Sequence, residues 1–372
     1  MTKYSGTTDY PHQQPTATGI LLTNLGTPDA PTAAAVRQYL AEFLSDPRVI
    51  ELHQLLWWPI LHGIILRTRP KRSAHAYQKI WTDKGSPLLD ISSKQLQALQ
   101  KQTASQIKGP VQIELAMRYG NPSIKHGLEK LRQAHVQRLL VFPLYPQYSA
   151  ASTGTTFDAV ADVLKTWRWV PELRMLNHYH DDTGYIDALV SSIREHWAGN
   201  GRGDKLLFSF HGLPQHYFLA GDPYFCQCHK TARLVVEQLQ LADGAWQVAF
   251  QSRFGFQKWL QPYTDKTLKA WGKQGIKSVD VICPGFSADC LETLEEIQMR
   301  YRDLFLDAGG ERFSYIPALN DQPAHIDALM ELIIRNCQGW PELAPDYNAD
   351  AVHAGLQQRE QRAATMKSNM PE

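Results

Sequence analysis

The sequence predicts an α/β protein built as two doubly wound domains with parallel sheets. Three observations carry this expectation. The chain has 372 residues, more than one hydrophobic core ordinarily organises, so two domains are expected. Short runs rich in Ile, Leu, Val and Phe recur along it. They are nearly continuous rather than alternating, the pattern of strands covered on both faces. Segments with helical spacing lie between them, which is a βαβ rhythm.

Taken in order, the first run is GILLTN (19–24). The helical SKQLQALQKQ precedes VQIELAM (111–117), and PSIKHGLEKLRQA precedes RLLVFPL (138–144). The helical TTFDAVADVLKTW then stops at Trp167–Pro171, which predicts a domain boundary near residue 173. The second set is KLLFSF (205–210), WQVAFQ (246–251) and SVDVIC (278–283), with HKTARLVVEQLQ between the first two. No strand pattern follows the last apolar helix, AHIDALMELIIRNC. The expected division is 17–173 for the first domain, 174–312 for the second and 313–340 for a terminal segment. Residues 1–16 and 341–372 are polar, with Pro, Gln and charge, and are expected to be flexible.

Composition narrows the function. Lys and Arg number 38 against 37 Asp and Glu, a net charge of +1. With no basic field, nucleic acid is not an expected partner. An apolar fraction of 43% and a charged fraction of 20% suit a soluble globular protein. The five cysteines, Cys226, Cys228, Cys283, Cys290 and Cys337, are too sparse and odd in number for a disulfide framework. The opening MTKYSGTTDYPHQQPTATG has no apolar core of a signal peptide, and no run reaches the ~20 apolar residues of a membrane span. A cytoplasmic location is expected.

In open α/β sheets, ligands bind past the carboxyl ends of the strands. Those positions hold Leu25-Gly26-Thr27-Pro28, Arg118-Tyr119-Gly120, Tyr145-Pro146-Gln147-Tyr148-Ser149, His211-Gly212-Leu213-Pro214, Ser252-Arg253-Phe254-Gly255 and Pro284-Gly285-Phe286. After the last of them comes SADCLETLEEIQMR. Ser287 is expected to cap an α-helix there. Asp289, Glu292 and Glu296, spaced i, i+3 and i+7, would then share one face. On its own, such a row most often faces solvent near a helix start, and a lone histidine is most often structural. Together at one sheet edge, an imidazole and carboxylates can bind a divalent cation or move protons.

The strings LLTNLGTPDAPT, MRYGNP, YPQYSAASTGTT, FSFHGLP, GDPYFCQC, QSRFGFQKWLQPYTD and PGFSADCLETLEEI, in this order, resemble ferrochelatases, most of all those of Gram-negative bacteria. The likeness runs from about residue 18 to about residue 338. It implies two Rossmann-like, chelatase-type domains facing a central cleft, with a C-terminal helix returning to the first domain. It implies insertion of ferrous iron into protoporphyrin IX, the final step of haem biosynthesis. His211 matches the family's active-site histidine, Glu292 its facing glutamate and Glu296 the next carboxylate. His211 and Glu292 are the implied metal contacts. Arg118 and Tyr119 match an arginine–aromatic pair, and Leu25, Tyr145, Tyr148, Ser149 and Trp259 complete the implied substrate wall. Cys290 stands where animal relatives have histidine, and Arg300 interrupts the acidic row.

The chemistry asks for these groups. A free-base porphyrin holds two pyrrole N–H protons in its plane, and iron cannot enter until they leave. Histidine is a base for that task near neutral pH. Four strong ligands would trap the metal, whereas one imidazole with one or two carboxylates leaves open positions.

The remaining signals are weaker. HQLLWWPILHGIILRTRPKR (53–72) reads as a helix of the first domain, or as the flexible lip that the resemblance implies. Its tryptophans and basic cluster suit peripheral membrane contact through residues 55–72, at the inner membrane. Contact with the oxidase that precedes the family in the pathway is a further implied partnership. Cys226, Cys228 and His229 lack zinc-finger spacing. No tightly bound cofactor is expected, and with only Cys337 near the chain end no [2Fe–2S] cluster is expected. No G-x-G-x-x-G or G-x-S-x-G motif occurs. The alternatives are a chelatase of coproporphyrin, one of sirohydrochlorin with cobalt, and a tetrapyrrole carrier without turnover.

Overall fold

The computed structural model describes residues 4–6, 14–255 and 257–368. Most of the segment 1–16 expected to be flexible lies outside the described residues, as do 369–372. Among the described residues, eight strands form two four-stranded sheets. The first contains β1 (Ala17–Thr27), β2 (Val111–Gly120), β3 (Val136–Pro143) and β4 (Glu172–Met175), in the order β2-β1-β3-β4. The second contains β5 (Lys205–His211), β6 (Trp246–Gln251), β7 (Ser278–Ile282) and β8 (Arg312–Ile316), in the order β6-β5-β7-β8. Every pairing is parallel, so each connection crosses over through helix. Ile20, Leu21, Leu22, Leu207, Phe208 and Phe210 are at most 0% exposed, as strands covered on both faces require.

Between β4 and β5 the chain runs through residues 176–182 into the helix Thr183–Asn200. That helix packs on the helix Pro323–Asn336, which also touches the helix Pro87–Gln106 of the first half. Gln95, on this last helix, donates through Nε2 to the carbonyls of Ser287 (2.9 Å) and Asn320 (3.0 Å). The two halves are thus joined by buried contacts as well as by the chain.

The segment beyond 340, expected to be frayed, contains a short 3-10 turn at Pro341–Leu343 and a helix at Ala349–Ser368. Glu342 is 2% exposed. Its carboxylate meets Arg138 Nη1 at 2.7 Å and accepts from the hydroxyls of Thr16 (2.7 Å) and Thr18 (3.1 Å). This ties the tail to β1 and β3.

The apolar stretch 53–72 is helical from Gln54 on, as Gln54–Ile60, a π-helical turn Leu61–Ile65 and Leu66–Ile80. The two tryptophans part company. Trp57 is buried and donates through Nε1 to the Leu44 carbonyl at 2.7 Å, whereas Trp58 is exposed beside Leu55, Leu56, Ile60 and Ile64.

Candidate active site

His211 is the last residue of β5 and pairs with Gln251, the last residue of β6. Its Nδ1 lies 2.7 Å from the Gly212 carbonyl. A carbonyl only accepts, so Nδ1 carries the hydrogen, and in the neutral ring this tautomer leaves the lone pair on Nε2. The following glycine has a local cause. Gly212 N donates to the Gln251 carbonyl at 2.7 Å, and a Cβ at Gly212 would stand 2.6 Å from that oxygen. The backbone must therefore turn close against β6, which only glycine allows. Pro214 then bridges to Trp259, whose ring edge flanks the same turn.

Gln251 fastens this edge to the acidic helix. Ser209 Oγ donates to Gln251 Oε1 at 2.8 Å, and Gln251 Nε2 donates to the Glu292 carbonyl at 3.0 Å. Glu296 is 7% exposed. It accepts from Tyr301 OH at 2.7 Å and from Ser252 Oγ, and it meets Arg300 Nη2 at 3.1 Å. Ser252, with φ of 63°, is held in the left-handed region that non-glycine residues rarely adopt. Arg300, expected to break the acidic row, closes it as an ion pair.

Glu292 is half-buried at the start of the helix. Burial pushes the phenols of Tyr39 and Tyr77 well above their usual range, and the Glu292 charge adds to it. The Cys290 thiol is pushed up in the same way, by burial first and then by Glu292. Glu292 of the second half therefore lies within electrostatic reach of Tyr39 and Tyr77 of the first. Tyr119 and Tyr145 lie within electrostatic reach of Tyr39.

Three local expectations are corrected. The helix Glu292–Tyr301 is a π-helix, with i→i+5 bonding over ten residues. Asp289 precedes it and is buried, accepting from Tyr315 OH (2.6 Å), Asn320 Nδ2 (2.8 Å) and Thr293 Oγ1 (2.9 Å). Those partners consume it as a structural anchor, leaving Glu292 and Glu296 as the acidic pair. Ser287 does not cap the helix; its hydroxyl is buried with no hydrogen-bond partner, and Thr293 accepts from Cys290 N instead.

The first half supplies the opposite wall. Leu25 sits half-buried near the end of β1. Arg118 and Tyr119 converge on Asp46. Arg118 Nη2 is 2.5 Å from Asp46 Oδ2, and Tyr119 OH donates to the same oxygen at 2.9 Å. Tyr119 is 0% exposed, and the Arg118 guanidinium lies 4.4 Å from its ring centre. The pair is therefore engaged by a carboxylate that the sequence reading did not single out. Tyr145 is half-buried, and its hydroxyl has no partner. Tyr148 is half-buried, and its backbone N donates to Gln227 Oε1 at 2.7 Å. Ser149 is 2% exposed and donates to Asp222 Oδ2 at 3.0 Å, so it fixes the loop.

Gln251, Tyr301, Asp46, Tyr39 and Tyr77 were missed, and Ser252 was placed past a strand end without a role. For Gln251 the signal was position, since it ends β6 at the sheet edge. Among the described residues, the donors of His211, Glu292 and Glu296 do not close within 4.8 Å of one another. In this structure they do not form a closed set of donors.

The ferrochelatase family model matches residues 17–337. A ferrochelatase of Thioalkalivibrio sulfidiphilus is 55% identical over 364 residues, covering 98% of this chain and 99% of that one. A ferrochelatase of Nitrosococcus oceani is 57% identical over 363 residues, covering 98% of each. Among solved structures, SirB from Bacillus subtilis with Fe3+ aligns over 86% of this chain and 96% of its own at TM-score 0.52 and 12% identity, a likeness of fold. The two parallel sheets, the order of the motifs and the relatives' identity over nearly the whole chain agree, and the chain belongs to the ferrochelatase family.

Proposed function

We propose that the chain inserts ferrous iron into protoporphyrin IX, with His211 taking the pyrrole protons through Nε2 and with Glu292 and Glu296 guiding the metal or relaying protons. The observation that carries this reading is the fastening of His211 to both glutamates through Gln251. A base and two carboxylates are held at one sheet edge, with the imidazole lone pair unused.

Iron here is a substrate and must leave with the porphyrin. An open site suits this, because a closed cage would hold the ion. Glu296, already bonded to Ser252, Tyr301 and Arg300, is the more firmly oriented of the two. Glu292, within electrostatic reach of the tyrosines, is the one nearer the first half. The buried phenols of Tyr39, Tyr77 and Tyr145 are held protonated and present an apolar, aromatic wall against which a macrocycle can be shaped.

The test is His211→Ala and, separately, Glu292→Gln, with anaerobic insertion assayed on purified protein. Each should lose at least about a hundredfold in turnover. Near-wild-type rates in both would remove the assignment. Offering coproporphyrin beside protoporphyrin decides the substrate; faster metallation of coproporphyrin would overturn the choice made here.

No resident cofactor belongs to this reading. The cysteines are free, with Cys226 exposed and Cys228, Cys283, Cys290 and Cys337 buried. No helix among the described residues is long and apolar enough to cross a membrane. The exposed Leu55, Leu56, Trp58, Ile60 and Ile64, followed by exposed Arg67, Lys71 and Arg72, form the face we assign to peripheral membrane contact. A contact with the oxidase that supplies the porphyrin would use the same face. Leu56→Asp combined with Trp58→Asp should abolish co-sedimentation with anionic vesicles at low salt; unchanged binding would reject this face.

A further inference from the structure

Outside the active site, one cluster of metal-ligating side chains stands out. On the linker between β4 and the helix Thr183–Asn200, His178, His180 and Asp181 each bring one donor atom to within 4.8 Å of the others. His180 Nδ1 is 3.7 Å from Asp181 Oδ1. The His178 and His180 ring centres are 5.0 Å apart. Donor separations around a bound ion are roughly 3 Å, from ligand distances near 2 Å, so closure needs only small side-chain movement.

A second observation points to a ligand. The His180 side chain is 7% exposed, and its Nδ1 is buried with no hydrogen-bond partner. A buried, unpaired ring nitrogen is costly and calls for an explanation. His178 is exposed and, with Asp181, borders a surface cavity of about 420 Å³ that gives access from solvent.

The groups facing the cluster are accounted for. Lys230 Nζ, on the helix Tyr224–Leu239, lies 2.5 Å from Asp181 Oδ2 and leaves Oδ1 toward His180. Arg335 pairs with the neighbouring Asp182. Lys230 is therefore the one cation competing directly for Asp181 among these partners.

We propose that His178, His180 and Asp181 form a second divalent-cation site on the interdomain linker, separate from His211 and Glu292, that takes a borderline ion such as zinc, cobalt or ferrous iron. Two imidazoles and one carboxylate suit these ions over magnesium or calcium. Water completes the coordination on the exposed side. An ion there would fix the linker's own turn, drawing Asp181 away from Lys230 on the helix Tyr224–Leu239. It would also sit two hydrogen bonds from the cleft wall, since Thr231 Oγ1 donates to the His180 carbonyl (2.8 Å) and Gln147 Nε2 donates to Thr231 Oγ1 (3.0 Å).

The test is calorimetric titration of the full, porphyrin-free chain with zinc alone. Wild type should bind two equivalents. His178→Ala and Asp181→Asn, both at accessible positions, should each lose one while keeping porphyrin metallation and the far-ultraviolet spectrum. Lys230→Met should keep both and bind the linker equivalent about tenfold more tightly, because a competing positive charge is removed. The double variant His211→Ala, Glu292→Gln should lose the other equivalent. If that variant keeps both equivalents while His178→Ala loses one, the linker site stands and the active-site assignment falls. Unchanged stoichiometry and affinity in His178→Ala and Asp181→Asn would overturn the linker site, as would a Lys230→Met chain that binds no more tightly.

Discussion

Replacing Glu342 by alanine should cost about 3 kcal/mol of stability. The carboxylate is 2% exposed and faces Arg138 and the hydroxyls of Thr16 and Thr18. Breaking a buried pair by removing one partner costs roughly 3–5 kcal/mol, chiefly because the other charge is stranded. Here the lower end applies. The Arg138 side chain is 25% exposed and keeps Glu172 at 3.6 Å, so it retains some solvation and one acidic neighbour. Thr18 is 0% exposed, and its hydroxyl loses its acceptor, which adds to the loss. For a chain of 372 residues, about 3 kcal/mol corresponds to a fall in Tm of roughly 4 °C. Urea unfolding with fluorescence and circular dichroism, together with limited proteolysis of the tail, gives the measurement. A double-mutant cycle with Arg138→Ala isolates the pair. A loss below about 1 kcal/mol, or no coupling between the two positions, would refute the view that this carboxylate fastens the tail.

Three further outcomes follow from the same contacts. Tyr301→Phe removes the 2.7 Å hydroxyl bond to Glu296 and should lower turnover about tenfold, the size of a bond to a charged group, with the fold intact; unchanged turnover would show that Glu296 needs no such orientation. His325, 0% exposed, is pulled by burial from 6.5 down to about 4. The unfolded chain therefore binds its proton first as the pH falls. Its contribution is fully present above about pH 6.5 and is lost toward pH 4, worth about 3 kcal/mol; His325→Gln should flatten the stability profile in that window, and an unchanged slope would contradict it. Finally, the open imidazole–carboxylate site should insert zinc at a rate comparable with ferrous iron and reject magnesium, which prefers oxygen ligands and sheds water reluctantly; strict rejection of zinc in anaerobic assays would mean that another group selects the metal, with buried Cys290 beside Glu292 the first to replace.

The central strands were legible because burial on both faces writes itself into composition: the runs around Leu22 and Phe208 could be little else. Two of the edge strands were not, although the edge strands β2 and β6 were read from their apolar runs. β4, ELRM, and β8, RFSYI, are short, carry charge and pair on one side only, so their composition resembles loop. The helix Ala349–Ser368 was passed over as tail because polar residues dominate it. Yet Ala, Gln and Arg favour helix, and Leu356 is buried. At the site, His211 and Glu292 were visible from position and motif. Asp46 was not, since its partners Arg118 and Tyr119 lie 72 and 73 residues away. Nor could spacing distinguish the π-helix from an α-helix, because Glu292 and Glu296 share a side in either. Trp57 and Trp58 show the same limit: adjacency in sequence placed them together, while the helix turned one inward and one out.

The two sheets are built to one plan, with the first strand of each half flanked by its second and third. Yet the plan is used unequally. The end of β5 carries His211, while the end of β1 carries Leu25 and Gly26. A flat guest lodged between the halves would thus meet a reactive side and an inert side, and turning it over would not give an equivalent pose. The repeated framework acts as workbench in one copy and as clamp in the other. Changes near Leu25 should alter how the guest lies, whereas changes near His211 should alter what is done to it.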